Sequence, residues 1–259
     1  MRIITQPSIH VLSIPMFFAH PRYQIPQGVH GTYAEELITH AGKGCFDSYG
    51  PEGRTIQEHI KNLIRSGHGS VLEHANISIF IEGISRGCSH ELVRHRAGFA
   101  FSQRSTRYTA EEESAIVLDP FYADLYATKD LSINQKTILN QFIHDCKRDI
   151  DSYTTAVEWL MDVAPEEMTT VNRRKWARGK ARQLLPHAIE TRLTMTGNLR
   201  AWRHLIEIRS AVSAEAEIRR LAYAIFQAIS PTAPFVFEDF VAVDGPDGIP
   251  RLSPKVSKV

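Results

Sequence analysis

Arg94-His95-Arg96-Ala97-Gly98-Phe99-Ala100-Phe101-Ser102-Gln103-Arg104-Ser105-Thr106-Arg107-Tyr108 holds four arginines, one histidine, two serines and one glutamine in fifteen residues, with no acid among them. The chain as a whole has a formal net charge of only +1, so this concentration of cations is local and marks a site for an anion. Guanidinium groups grip phosphate as planar forks, and hydroxyls and backbone amides complete such a cradle. Phe99, Phe101 and Tyr108, interleaved with the charges, add faces that become buried or stack on a planar ligand. A basic loop that is merely solvated has no use for them.

A second group with the same mix of Gly, hydroxyl and imidazole lies upstream, His68-Gly-Ser-Val-Leu-Glu73-His74. Before it, Thr55-Ile-Gln-Glu58 reads as a capping box opening a helix that runs to Ser66, and Gly67 stops that helix. After it, Ile77, Ile79 and Ile81 alternate on one face of a strand. His68, Ser70 and Glu73 therefore fall at a helix-to-strand junction, where side chains can point at a ligand. Ser85 is placed to cap a helix from Arg86 to Arg96, with Cys88 and Leu92 on its buried side and Glu91, Arg94 and His95 on another. The cradle is expected as a loop, closed by a strand over residues 112–117 that ends at Asp119-Pro120.

Working outward, residues 2–14 read as one or two short strands, and Pro15, Pro21, Pro26 and Gly28 mark an irregular connection. Ala34, Leu37, Ile38 and Ala41 recur at helical spacing until Gly42 and Gly44. Between Ile133 and Val163 an apolar stripe that includes Ile138, Cys146, Ile150 and Tyr153 holds a helical period for about eight turns, and is read as core or a seam to a partner helix. Pro165-Glu-Glu is expected to start another helix, which carries six cations between Arg173 and Arg182. Residues 187–196 alternate as a strand, and Asn198 is placed to cap a helix in which Leu199, Trp202, Ile206 and Arg209 share one side while Arg200 and His204 share another. A last helix over residues 214–229 precedes Pro231 and Pro234. The count is one domain over residues 1–243, followed by a Gly/Pro/Lys-rich tail, 244–259, expected to be disordered.

With 43% hydrophobic and 23% charged residues in 259, the chain can bury a substantial core. The near-neutral charge speaks against nucleic acid or an anionic membrane as partner and for a small anion. Cys45, Cys88 and Cys146 form no Cys-x-x-Cys pair, and the twelve histidines show no metal spacing, so neither a disulfide framework nor a metal site is expected. With no signal-peptide pattern and no long apolar run, a cytoplasmic protein is expected. Gly-x-Gly-x-x-Gly and Walker loops are absent. What remains is a site rich in Arg, His, Ser and Asn that binds phosphate and a planar ring, while a cofactor does the hard chemistry.

Gly67-His68-x-Ser70-x-x-Glu73-His74, followed by Arg94-His95-Arg96 and then Ser105 with Arg107-Tyr108, resembles the signature of the flavin-dependent thymidylate synthases, the ThyX family. Ala181-Arg-Gln-Leu-Leu-Pro186, Thr196-Gly-Asn-Leu-Arg-Ala-Trp-Arg-His204 and the Arg209–Arg219 segment resemble that family's C-terminal half in the same order. The likeness covers roughly residues 30–240. It implies an α/β (α+β) subunit, an antiparallel-rich sheet flanked by helices, assembled as an intertwined homotetramer with sites shared between subunits. It implies FAD-dependent C5 methylation of dUMP to dTMP, with methylenetetrahydrofolate as carbon donor and NADPH as reductant, and without a cysteine nucleophile.

Residue by residue, the resemblance puts Ser70, Arg94, His95, Arg96 and Gln103 on FAD with His68 beside it, and Asn198, Arg200 and His204 on FAD from a neighbouring subunit. It puts Glu91, Arg94, Gln103, Arg104, Ser105, Thr106, Arg107, Arg182 and Arg209 around the nucleotide, with Arg209 as the catalytic residue that activates the pyrimidine. The chain departs from the family's pattern in two places. Eight residues, Ala97 to Arg104, separate Arg96 from Ser105 where the family usually has seven, and the extra residue could shift the cradle by up to ~3.5 Å. Val212 and Ser213 stand where the family commonly has an acid and a His. These departures keep open a relative with altered specificity, a C5 methylase or hydroxymethylase of UMP or a cytosine nucleotide. A non-catalytic nucleotide- or RNA-binding protein is the reading of another class, and flavin absorption separates it from both.

Overall fold

The computed structural model describes residues 1–23, 25, 31–50, 52–257 and 259; Pro26 and Gly28 of the expected irregular connection lie outside the described residues. In chain order the elements are β1 (Ile3–Ile4), β2 (Ser8–Ser13), α1 (Tyr33–Gly44), α2 (Ile56–Arg65), β3 (Asn76–Ser85), α3 (Arg86–Leu92), β4 (Phe99–Gln103), β5 (Ile116–Val117), α4 (Pro120–Ala127), α5 (Ile133–Asp162), α6 (Thr170–Ala181), β6 (Glu190–Asn198), α7 (Leu199–Arg209), α8 (Ala216–Ile229), α9 (Pro234–Phe237), β7 (Phe240–Val243) and β8 (Arg251–Pro254). Backbone packing groups the chain into two compact units, each assembled from three separate segments. Unit one comprises Met1–Pro7, Glu82–Glu91 and Gln103–Leu193, and unit two Ser8–Ile81, Leu92–Ser102 and Thr194–Val259. Among the described residues no helix is long and apolar enough to cross a membrane.

Unit one is organised on α5. Ser132 accepts a hydrogen bond from the Gln135 amide at 3.3 Å, and the Gln135 side chain accepts from the Ser132 amide at 2.9 Å, the reciprocal pairing that opens a helix cleanly. Leu139, Cys146 and Ile150 fall on one stripe and bury against Ile116, Leu118, Ala123, Leu125 and Ile189. Each fully buried aliphatic side chain of this kind stabilises by about 1.5–3 kcal/mol. Ile138, counted in the expected stripe, faces outward.

Other expectations for unit one are corrected by capping. Thr169, not Pro165, opens α6, accepting from the Asn172 amide at 3.4 Å. Asp119 opens α4 by accepting from the Phe121 amide at 2.9 Å, so it begins a helix as well as ending a strand. The strand expected over 112–117 shrinks to β5 because the Ser114 amide turns back to the Glu111 carbonyl. β5 pairs with β1 in parallel, Ile3 opposite Ile116.

In unit two the strand order is β2-β3-β6-β4. The Leu199 amide donates to the Ala75 carbonyl at 2.9 Å, and the Ser78 and Thr196 hydroxyls meet at 2.8 Å. Rising numbers on one strand thus face falling numbers on the other, and β3 and β6 are antiparallel. Ile77, Ile79 and Ile81 share the buried face as their alternation predicts. Trp202 of α7 is fully buried, and its indole N–H reaches the Ile77 carbonyl at 3.3 Å, which offsets the cost of enclosing a polar group. The cradle segment expected as a loop contains β4, whose Phe99 ring meets Trp202 edge-on with centroids 4.8 Å apart.

The tail expected to be disordered carries β8, paired antiparallel with β7. Its composition hid two anchors. Leu252 is buried, its carbonyl accepting from the Ser210 hydroxyl at 2.8 Å, and Asp247 forms an ion pair with Arg219. The observed fold is a mixed α/β arrangement of helices with antiparallel sheet.

Candidate functional site

In unit two the site grows from the β6–α7 junction. Asn198 caps α7 as expected, its Oδ1 accepting from the Ala201 amide at 2.8 Å. Its own amide donates to the Gly98 carbonyl at 3.2 Å. Gly98 has φ +74°, and a Cβ there would lie 2.8 Å from both the Asn198 side-chain Nδ2 and the Ala201 Cβ, so only glycine fits. A cavity of about 440 Å³ opens beside this contact, lined by Glu73, Ala97, Gly98, Asn198, Arg200 and His204 among others. Arg200 and His204, four apart on α7, face it together, as their spacing predicts.

Arg200 is held from two directions. Its NH1 lies 2.6 Å from Glu73 Oε1, and its Nε donates to the Val259 carbonyl at 3.0 Å. Gly69 permits this crowding, since a Cβ there would fall 2.3 Å from the Val259 carbonyl carbon. Glu73 shares the short 3-10 turn Gly69–His74 with Ser70, and both Ser70 and His68 are exposed. Val259 was not foreseen, because no local signal marks a tail residue as a site neighbour.

The Arg94-His95-Arg96 triplet does not lie on a helix. α3 ends at Leu92, so the expected shared face of Glu91, Arg94 and His95 does not form, and the His95 amide turns back to the Leu92 carbonyl at 3.2 Å. Arg94 and Arg96 are exposed, whereas His95 is half-buried. Arg209, the last residue of α7, donates from Nε to His95 Nε2 at 2.7 Å. Burial first, then the positive charges of Arg209 and His204, push the His95 imidazole down to about 4.

In unit one the remaining candidates surround the Gln103–Thr109 turn. Gln103 Nε2 donates to the Ser89 hydroxyl at 2.8 Å and to the Thr191 hydroxyl at 3.1 Å, which fixes the orientation of the amide. The Ser105 carbonyl accepts from the Tyr108 and Thr109 amides, and Thr106 is buried in the turn. Arg107 and Arg182 are exposed cations, and Glu91 is half-buried at the end of α3. Lys175 sits 4.5 Å from the Tyr108 ring centroid.

Arg104 behaves differently from its neighbours. Its NH1 lies 3.1 Å from Glu111 Oε2, and NH2 donates to the Ala110 carbonyl at 2.9 Å. Glu111 is buried and also accepts from the Thr109 hydroxyl at 3.1 Å. The guanidinium is thus committed to an internal acid. Arg86 was not singled out from the sequence, where it reads only as a first helical residue. Its NH1 donates to the Arg104 carbonyl at 3.3 Å. Burial lowers its basicity, Glu111 opposes this, and Arg182 and Arg104 add to it.

The donor chemistry suits an anionic, planar group. The unit-two cavity offers an arginine, an imidazole and an amide with one carboxylate already paired, and its size matches part of a dinucleotide, not the whole. FAD fits such a donor set, its pyrophosphate being served by cations and amides. The three cysteines form no disulfide; Cys88 and Cys146 are buried, and burial pushes the Cys146 thiol up to about 11.

Residues 29–235 match the family described as thymidylate synthase complementing protein. The chain is 39% identical to a flavin-dependent thymidylate synthase of Mycobacterium avium over 235 residues, covering 90% of this chain and 89% of that one. It is 39% identical to that of Mycobacteroides abscessus and 38% identical to that of Mycobacterium tuberculosis, in each case over 215 residues and 82% of both chains.

Proposed function

Because the chain belongs to the thymidylate synthase complementing protein family, we propose that it is a flavin-dependent thymidylate synthase, methylating dUMP at C5 to give dTMP. Methylenetetrahydrofolate supplies the carbon and a reduced nicotinamide the electrons. Bound FAD supplies the hydride chemistry that no side chain can provide. The observation that carries this reading is the family match across 29–235, joined to a sequence in which the triplet and Arg209 meet through His95.

The chain's own residues bind, orient and stabilise charge. His68, Ser70, Arg94, His95, Arg96, Gln103, Asn198, Arg200 and His204 are assigned to FAD. Glu91, Arg94, Gln103, Ser105, Thr106, Arg107, Arg182 and Arg209 are assigned to the nucleotide. Arg104 joins that set as the residue that holds the turn, since its guanidinium is occupied by Glu111. Arg209 is the catalytic residue. Set against the O4 and N3 edge of the pyrimidine, its fixed positive charge favours electron density at C5 without transferring a proton.

We place the enzyme in the cytoplasm as a homotetramer in which several copies contribute to each site. Exposed apolar side chains support association: Leu12 on the edge strand β2, then Met16 and Phe18, and on α5 Ile133 and Trp159. The test is a product assay with dUMP, UMP and dCMP, each with FAD, methylenetetrahydrofolate and NADPH. dTMP from dUMP is expected. Turnover of UMP or dCMP with none of dUMP would transfer the reading to the altered-specificity relative. Arg209→Ala should keep flavin and lose turnover by at least about a hundredfold, in the range for removing a preorganised charge; near-normal turnover would remove its assignment.

A further inference from the structure

His95 is the central and least exposed residue of its triplet, and it is bonded to the arginine assigned to the pyrimidine. Arginine Nε carries a hydrogen and cannot accept, so at 2.7 Å His95 Nε2 must be the acceptor. The imidazole is then neutral, with its one proton on Nδ1. The charged groups that act on it are Arg209 and His204 of α7. Both oppose protonation of the ring. Nε is also the guanidinium nitrogen nearest the stem, so a bond there sets the plane in which the two terminal nitrogens lie.

We propose that His95 is a positioning residue for Arg209, its Nε2 fixing the plane in which that guanidinium meets the pyrimidine. This rests on the reading of Arg209 given above. The consequence is that one residue of the expected flavin motif also holds the nucleotide's arginine. Disturbing His95 therefore changes nucleotide binding beyond any effect on the flavin.

The direct test reads the tautomer. In imidazole ¹⁵N correlation spectra of the full-length protein, with and without FAD, His95 should show a protonated Nδ1 and an acceptor Nε2. Arg209→Ala should shift it towards the Nε2–H form. A protonated Nε2 in the unaltered protein, or a pattern insensitive to Arg209→Ala, overturns the latch. The functional test compares His95→Phe, which keeps bulk and loses the acceptor, with His95→Gln, which keeps an acceptor. dUMP affinity is read from the perturbation of flavin absorption, alongside turnover.

His95→Phe should weaken nucleotide binding or turnover by about tenfold to a hundredfold, as expected for a lost hydrogen bond to a charged group, and His95→Gln should recover part of it. In an Arg209→Ala background His95→Phe should cost no further nucleotide affinity. An equal loss in both backgrounds means that His95 serves the flavin alone, and the positioning role is refuted. Should Arg209→Ala by itself leave dUMP affinity and turnover intact, the reading of Arg209 fails and the positioning role with it. The tautomer spectrum then still reports whether the latch exists.

Discussion

Arg104→Met removes one charge from a pair that is almost wholly enclosed. The Arg104 side chain is 15% exposed and that of Glu111 only 1%, and their atoms approach to 3.1 Å. Glu190 Oε2 lies 3.9 Å from the same nitrogen, so two carboxylates lose a cation at once. Taking one partner from a buried ion pair costs about 3–5 kcal/mol, because the other charge stays desolvated and uncompensated. In a chain of this size each kcal/mol moves the melting temperature by about 2–4 °C, so a fall on the order of 10 °C is expected by calorimetry. Arg104→Met combined with Glu111→Gln should recover a good part of that, since removing both charges together avoids the uncompensated state. dUMP affinity of the folded fraction at low temperature should change little. A variant that melts within about 1 kcal/mol of the parent yet binds dUMP more than tenfold less tightly would refute this, and would return Arg104 to the ligands.

Gly197→Ala would place a Cβ 2.2 Å from Phe99 Cε1 and 3.1 Å from Trp202 Nε1, so it should cost about 1–3 kcal/mol by overpacking and alter the near-ultraviolet signal of Trp202; an unchanged melt would contradict the packing. His59 is buried, and burial first, then Lys43 and Arg54, push it down to about 4 from 6.5. Its folded value lies below its unfolded one, so the stability it contributes is present above pH 6.5 and is lost as pH falls towards 4. The loss is of order 3 kcal/mol, and His59→Gln should flatten that part of the melting-temperature profile. Cys45 is exposed while Cys88 and Cys146 are buried, so one thiol should react rapidly with a disulfide reagent in the native protein, and Cys45→Ser should leave turnover unchanged. Two or more fast thiols, or a large loss on Cys45→Ser, would contradict that placement.

Much of this molecule was legible because capping and periodicity are local. Thr55 with Glu58, Ser85, and Asn198 begin helices where their side chains can satisfy first-turn amides, and the structure shows those bonds. Arg200 and His204 face one cavity because helical spacing alone puts them there. Other features were not legible in this way. α3 stops at Leu92, where the His95 amide turns back to the Leu92 carbonyl, and the cradle straightens into β4, whose approach is held from far along the chain by the bond from the Asn198 amide to the Gly98 carbonyl. The tail is ordered by single contacts, Leu252 to Ser210 and Asp247 to Arg219, that composition averages away.

Arg104 makes the same point about chemistry. A run of arginines without acids reads as an anion site because the neutralising charge is looked for nearby. Here Glu111 follows seven residues later and Glu190 comes from a distant strand, so one guanidinium of the run is neutralised from within the protein. Arg94, Arg96 and Arg107 stay exposed under the same sequence pattern. Density of arginine therefore marks a candidate site, and the partner of each guanidinium separates those free to meet a ligand from one that braces the turn. The bond between His95 and Arg209 is the strongest case, since it joins residues 114 positions apart and gives the triplet's histidine a task that spacing alone cannot express.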